Sequence, residues 1–381
     1  MNPSLTPLVT VATYAVMIAI GAMNASYGSV LPFLERQFVV TSAEIGFLST
    51  AQTIGGVLGN LSTAFLEKRF TAGQQMFGGG AGFAFGAVFF ALAMTFQLGF
   101  LVALLALFIM GLGLGLFQVN FANIFSRGFG ARSGAVMSVM STAFAVGSVA
   151  GPLLAVRLGG AYAWLPVAFG VLTLGCALLM RPAKNSEPAT AEARGGINLD
   201  SWLFAIMIAL YVVAEQGAGF WGVTHLVSIG WKPEAAAVVF SSFWLMLLVG
   251  RLVGAAVATK FSSEQVVIFG LLGSSLAFLL TNVAGLAAPA YLLAGILFAP
   301  VFPLGLTWLA KGNPSSLATT QYLIAGSVGA AIGTPLVGGL KTIFGDVAIP
   351  IALTVACGLS LAVALVLRVR QTRGLSSTLK I

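Results

Sequence analysis

Apolar stretches of about 20 residues recur from one end of this chain to the other, and each is long enough to cross a hydrocarbon core about 30 Å thick. Lipid offers no water to backbone amides, so a crossing stretch must close its hydrogen bonds within itself, which a helix does and a lone strand does not. No other sequence feature restricts the fold as strongly. Only 7% of the 381 residues are charged and 59% are hydrophobic, against about 25% charged in a typical soluble domain. The chain is therefore expected to be an all-α membrane protein. Twelve spans are expected, at 8–31, 44–66, 74–96, 99–123, 133–155, 161–180, 202–228, 235–258, 265–283, 289–309, 317–340 and 347–367.

A formal net charge of +8 would suit nucleic acid, but the positions of the basic residues follow membrane topology instead. With the N-terminus inside, the inner ends and loops carry Lys68, Arg69, Arg127, Arg132, Arg181, Lys184, Arg194, Arg251, Lys260, Lys311, Arg368, Arg370, Arg373 and Lys380. The outer loops carry only Arg36, Arg157, Lys232 and Lys341. Fourteen against four is a positive-inside asymmetry. It places both termini in the cytoplasm of a plasma (inner) membrane and removes the need for a nucleic-acid partner. Met1 to Thr10 lack the charged start and small-residue cleavage site of a signal peptide, so the first span is expected to be retained. Cys176 and Cys357 lie inside apolar spans and are read as packing residues.

The longest polar stretch, 181–201, falls near the midpoint and is rich in Pro, Ala, Glu and Gly. It cannot bury apolar area and is expected to be a cytoplasmic linker between six-span bundles at 1–180 and 202–381, the second with a cytoplasmic tail. The halves also match each other weakly. The string from Gly59 to Phe70 aligns with Gly250 to Phe261 at an offset of 191, and Met17 to Ile20 with Met207 to Leu210 at 190. Pro152-Leu-Leu aligns with Pro335-Leu-Val at 183. Parallel repeats that hold solute between them near the bilayer midplane are a transporter architecture.

On these features the chain resembles the major facilitator superfamily over almost all of its length. The superfamily's Gly-acid-basic motif belongs in the loops after the second and eighth spans. Here the first copy, Glu67-Lys68-Arg69, keeps charges without the glycines, and the second keeps Gly250, Arg251 and Lys260 without the acid. Within the superfamily the chain is most similar to the fucose–proton symporter-like sugar transporters. That similarity is carried by Tyr211 to Trp221, Phe243 to Leu252, Gly295 to Pro303 and Gly111 to Gly115. The resemblance implies two six-helix halves, alternating access and a sugar substrate.

Glu215 stands in an uncharged stretch from about Trp202 to Ile229. A carboxylate in hydrocarbon is costly unless it faces water or a partner, which marks it as a proton or substrate group; the alternative is a structural acid bonded to neighbouring helices. Gln216, Gly217 and Gly219 surround it, and the glycines would let the span bend during gating. The offset of 190 pairs Asn24 and Ala25 with Ala214 and Glu215. Gln118, Asn120 and Asn123 bring three carboxamides into about one and a half turns, and carboxamides both donate to and accept from sugar hydroxyls. Asn120 and Asn123 serve a cavity or an interhelical bond equally well on this reading. Symporters resembling this group carry acids in the first and fourth spans, whereas Asn24 and Gln118 do not titrate. Proton coupling is therefore expected to rest on Glu215, with His225 as a second titratable group.

Trp221 and Trp244 are candidates for stacking on a solute ring, and Gln52 and Gln321 are further polar positions. Trp164, Trp202, Trp231 and Trp308 sit near span ends and are expected in the interfacial belt. Arg251 is read as a snorkelling or gating residue. Pro300 and Pro303 are expected to kink the tenth span, and Gly147, Gly151 and Pro152 the fifth.

The expectation is a secondary transporter for a small polar solute, a sugar first, coupled to protons. An uncoupled facilitator and an exporter of amphipathic compounds, which the 29 Phe would suit, are the alternatives. The sequence has one histidine and lacks Gly-x-Ser-x-Gly or P-loop strings, so no enzyme, metal or cofactor is expected. The expected partners are the solute, a proton and the lipid bilayer, and the expected state is a monomer.

Overall fold

The computed structural model describes residues 6–129, 133–183 and 196–374. Most of the expected linker, and with it Lys184 and Arg194, lies outside the described residues, as do Arg132, Lys380 and the first five residues. Among the described residues the regular structure is helical, with thirteen α-helices. They are α1 (Pro7–Phe38), α2 (Ser42–Leu66), α3 (Ala72–Thr95), α4 (Phe100–Gly128), α5 (Ser133–Leu158) and α6 (Leu165–Met180), then α7 (Leu199–Ser228), α8 (Pro233–Val257), α9 (Ser263–Leu280), α10 (Ala287–Phe298), α11 (Val301–Gly312), α12 (Ser316–Phe344) and α13 (Ala348–Thr372). Among the described residues, ten stretches are long and apolar enough to cross a membrane. One of them, Val136–Met180, contains both α5 and α6, and α2 falls outside the ten.

The extra helix comes from the tenth span, which is broken at Ala299 and Pro300 into α10 and α11. Proline lacks the amide that would continue the ladder. By contrast α5 runs unbroken through Pro152, and α7 through Gly217 and Gly219. At these positions the glycines admit a neighbouring helix. A Cβ at Gly147 would meet the Ile18 carbonyl of α1, and one at Gly151 the Ala22 carbonyl.

The chain divides into two compact units, Met1–Pro188 and Ala189–Ile381. In the first, α1 packs on α5 and α6, α2 on α4, and α3 on α4 and α6. In the second, α7 packs on α12 and α13, α8 on α10, and α9 on α10 and α13. The two patterns are the same once α10 and α11 are counted as one span.

The repeat is also written into local chemistry. Thr71 and Gln74 form a reciprocal capping box that starts α3, and Ser262 and Gln265 do the same for α9. Each box satisfies amides that a helix start leaves orphaned, and the offset is 191 in both positions. Gly59 lets α2 approach the Leu112 carbonyl of α4, and Gly250, also 191 residues on, lets α8 approach the Ile296 carbonyl of α10.

This packing corrects the alignment of the first and seventh spans. Gly147 and Gly151 seat on Ile18 and Ala22, while Gly329 and Gly333 seat on Ala209 and Val213. The differences 209 − 18 and 213 − 22 are both 191, not 190, so the counterpart of Glu215 is Asn24 itself.

At one end of the second unit, the last turns of α13 hold the starts of two other helices. Arg370 Nε donates to Asp200 Oδ1 at 2.8 Å, and Arg368 pairs with Glu264 at 2.9 Å. Acids in a first turn and bases in a last turn both complement the helix dipole. Trp308 is corrected here. It is buried, donating to Gln371 Oε1 at 2.8 Å and meeting Phe204 edge to face, so it is not a belt residue. Trp164 and Trp202 are about half exposed, as a belt requires.

Candidate functional site

In the second unit α7 and α8 run antiparallel, and two glycines fix their register. A Cβ at Gly222 would collide with the Phe240 ring, and one at Gly219 would lie 3.0 Å from the Trp244 ring. Following that register inward, Glu215 falls between the levels of Trp244 and Arg251, which sit two turns apart on α8. The half-buried Glu215 carboxyl interacts with the Tyr211 hydroxyl, one turn earlier on α7, and with the charge of the exposed Arg251. Glu215 and Arg251 do not close into a direct ion pair, unlike Arg370 with Asp200.

Aromatic rings wall this cluster where the tenth span breaks. Tyr211 stacks on Phe298 with ring centroids 4.1 Å apart, and Phe302 is 6.4 Å away. Tyr322 of α12 meets Phe302 edge to face and donates its hydroxyl to the Phe302 carbonyl at 2.9 Å. Phe302 lies in the first turn of α11, beside the break. Pro300 packs on Gly254 of α8. Pro303 lies in the first turn of α11.

Buried polar atoms without a hydrogen-bond partner among the described residues occur in both units; the Trp244 indole nitrogen, both amide atoms of Gln321 and the hydroxyl of Ser241 are among them.

The other candidates differ in burial and in the contacts around them. Trp221 is fully buried, with its indole donating to the Thr334 carbonyl at 2.9 Å, so neither ring face is open in this structure. His225 is buried with Nδ1 3.0 Å from the Tyr291 hydroxyl of α10, ten residues beyond Glu215. In the first unit, Gln52 accepts from the Tyr27 hydroxyl at 2.6 Å, which joins α1 to α2. Asn120 donates to Gln75 Oε1 of α3 at 3.1 Å and to the Leu116 carbonyl at 2.9 Å. Asn24 and Asn123 are exposed, while Gln118 and Gln216 are half-buried. Replacing Asn120 by Leu is expected to cost about 0.6 kcal/mol, an average interhelical bond in a membrane. Detergent melting of the purified protein checks this, with transport expected to persist.

Several participants escaped the sequence reading, Tyr322 and Tyr291 among them. Tyr211 was legible in principle, being four residues before Glu215 and so on the same helix face. Gln75 and Tyr27 carried no such signal.

The Major Facilitator Superfamily matches residues 13–333. The 4-hydroxybenzoate transporter PcaK of Pseudomonas putida is 28% identical over 325 residues, covering 83% of this chain and 69% of that protein. A mutant form of the nucleoside transporter NupG shares the fold with a TM-score of 0.77 at 13% identity, covering 95% of this chain and 99% of that one. A mutant form of the E. coli fucose–proton symporter does so with a TM-score of 0.62 at 15% identity, covering 95% and 98%.

Proposed function

This chain belongs to the major facilitator superfamily and is an integral multi-pass membrane transporter; from that premise we propose that it couples solute movement to protons through Glu215. The solute is small and polar, in the first instance a sugar, and it moves by alternating access. One observation supports the coupling role above the others. Glu215 is a carboxyl in a membrane-spanning helix that interacts with a hydroxyl and a cation without being locked in an ion pair. A group held this way can take and release a proton at moderate cost, whereas a closed buried pair resists it. In this reading Gln216, Gln321 and Trp244 of the second unit offer hydrogen bonds to solute, and the Tyr211, Phe298, Phe302 and Tyr322 rings of that unit offer apolar faces; Asn24 and Gln118 are the polar candidates of the first unit. The broken tenth span supplies the moving element, with Arg251, Gly217, Gly219, Pro300 and Pro303 near it. His225 and Trp221 hold the outer half of α7 in place. The termini are cytoplasmic, the membrane is the plasma membrane and the working unit is a monomer.

A second reading of the solute has its own support. The match to a 4-hydroxybenzoate transporter favours an organic acid. Uptake of labelled hexoses, pentoses and aromatic acids into proteoliposomes, with an inward proton gradient imposed, tests both readings. Accumulation that a protonophore collapses is expected. Uptake that only equilibrates, with or without the gradient, contradicts coupling.

A further inference from the structure

In the second unit α8 and α9 both pack along α10 yet hardly touch each other. Residues 258–262 turn the chain from one to the other, and above that turn a groove of about 290 Å³ is left between them. The end of α10 forms its floor, with Ile296, Leu297 and Pro300. None of the residues lining it has a polar side chain. Val253, Phe261 and Phe269 on its rim are each about half exposed or more, so the groove opens on the surface of the unit.

In a membrane-spanning segment such a surface meets either another helix or acyl chains. Gly250 and Gly254 have the spacing that lets two membrane helices approach closely, but both are already taken. The Ile296 carbonyl lies against Gly250, and the Pro300 ring against Gly254. A helix is about 10 Å across, so even two turns of one exceed the volume that remains. A single hydrocarbon chain is thin enough, and the depth suits it. From Gly250 to Val257 α8 rises about 10 Å, and Phe261 continues the groove through the turn. Half of a hydrocarbon core is about 15 Å. At the mouth Lys260, beside Phe261, is exposed and makes no ion pair among the described residues. A lipid phosphate at that level would meet a cation.

We propose that this groove is a resident-lipid site. It holds one acyl chain of an anionic phospholipid from the leaflet on the side of the α8–α9 turn, with the phosphate beside Lys260. The chain lies against Leu297 and Pro300, next to the break between α10 and α11, and fills space into which the end of α10 could otherwise shift. The site does not depend on the coupling role given to Glu215.

The test uses the full-length protein in mild detergent, incubated with phosphatidylglycerol or with phosphatidylcholine of the same chains and weighed intact by native mass spectrometry. One phosphatidylglycerol per chain should be retained, about fivefold more tightly than phosphatidylcholine, as one lysine near a membrane surface would give. The same lipid should raise the melting temperature, because it binds the folded state. Val253→Trp, which fills the groove from its rim, should abolish both effects. Val238→Trp, at a site of similar exposure near the other end of α8, should leave them unchanged. Phe269→Ala removes a wall instead of adding bulk and should also weaken retention, so the outcome does not hang on how one variant folds. Lys260→Gln should erase the preference between headgroups and leave a lipid bound. Retention by Val253→Trp and Phe269→Ala equal to that of the wild type overturns the site. A second copy of the chain bound in place of lipid, and lost in Val253→Trp, overturns it as well. Equal retention of the two lipids by the wild type overturns the anionic headgroup and the place given to Lys260.

Discussion

Glu215→Gln is expected to leave a protein that exchanges solute across the membrane but cannot concentrate it. Glutamine keeps the size of the side chain, so α7 should pack as before, but it has no proton to release. A one-to-one coupled carrier working against a gradient of one pH unit concentrates its solute about tenfold, since one pH unit corresponds to about 1.36 kcal/mol. The variant should stop at equal concentrations, a loss of the whole factor, while counterflow of preloaded solute continues. Initial rate and plateau measured in the same vesicles separate these two steps. If the variant reaches the wild-type plateau, Glu215 is a structural acid and the coupling lies elsewhere.

The second large effect concerns folding. Gly147→Leu should destroy the first unit, because a Cβ there meets the carbonyl of Ile18 and neither backbone can give way. Overpacking a core typically costs about 1–3 kcal/mol. A collision between two helix backbones belongs at or above the top of that range, a large fraction of a typical stability. Gly175 of α6 has nothing within 4 Å of a Cβ, so Gly175→Leu serves as the control and should purify normally. The expected result is a tenfold or greater loss of monodisperse protein for Gly147→Leu alone. Equal yields of the two would mean that the close approach of α1 and α5 can relax.

The helical membrane architecture was legible because lipid leaves the backbone few choices, and recurring apolar stretches state that condition directly. Glu215 was legible for the same reason, as a charge where charges are costly. Its level relative to Arg251 was harder to find. The sequence placed Arg251 at the inner end of a span, and only Gly219 against Trp244 and Gly222 against Phe240 fix which turn of α8 Glu215 faces. The offset of α7 against α1 was misread by one residue, since Met-Ile-Ala strings recur easily in apolar helices, whereas glycine contacts mark register. Trp308 and Trp202 look alike as tryptophans near span ends, yet one is buried against Gln371 and Phe204 and the other is exposed. That difference depends on how far α11 sits inside its unit. The same limit applied to Asn120, whose partner Gln75 lies 45 residues away on another helix.

Solute-driven proton entry tests the central claim most directly. Wild-type and Glu215→Gln proteoliposomes carrying a trapped pH dye would be given each solute from the outside with no gradient imposed. The account predicts internal acidification by at least one solute in the wild type and none in the variant. Acidification of equal size in both would contradict it.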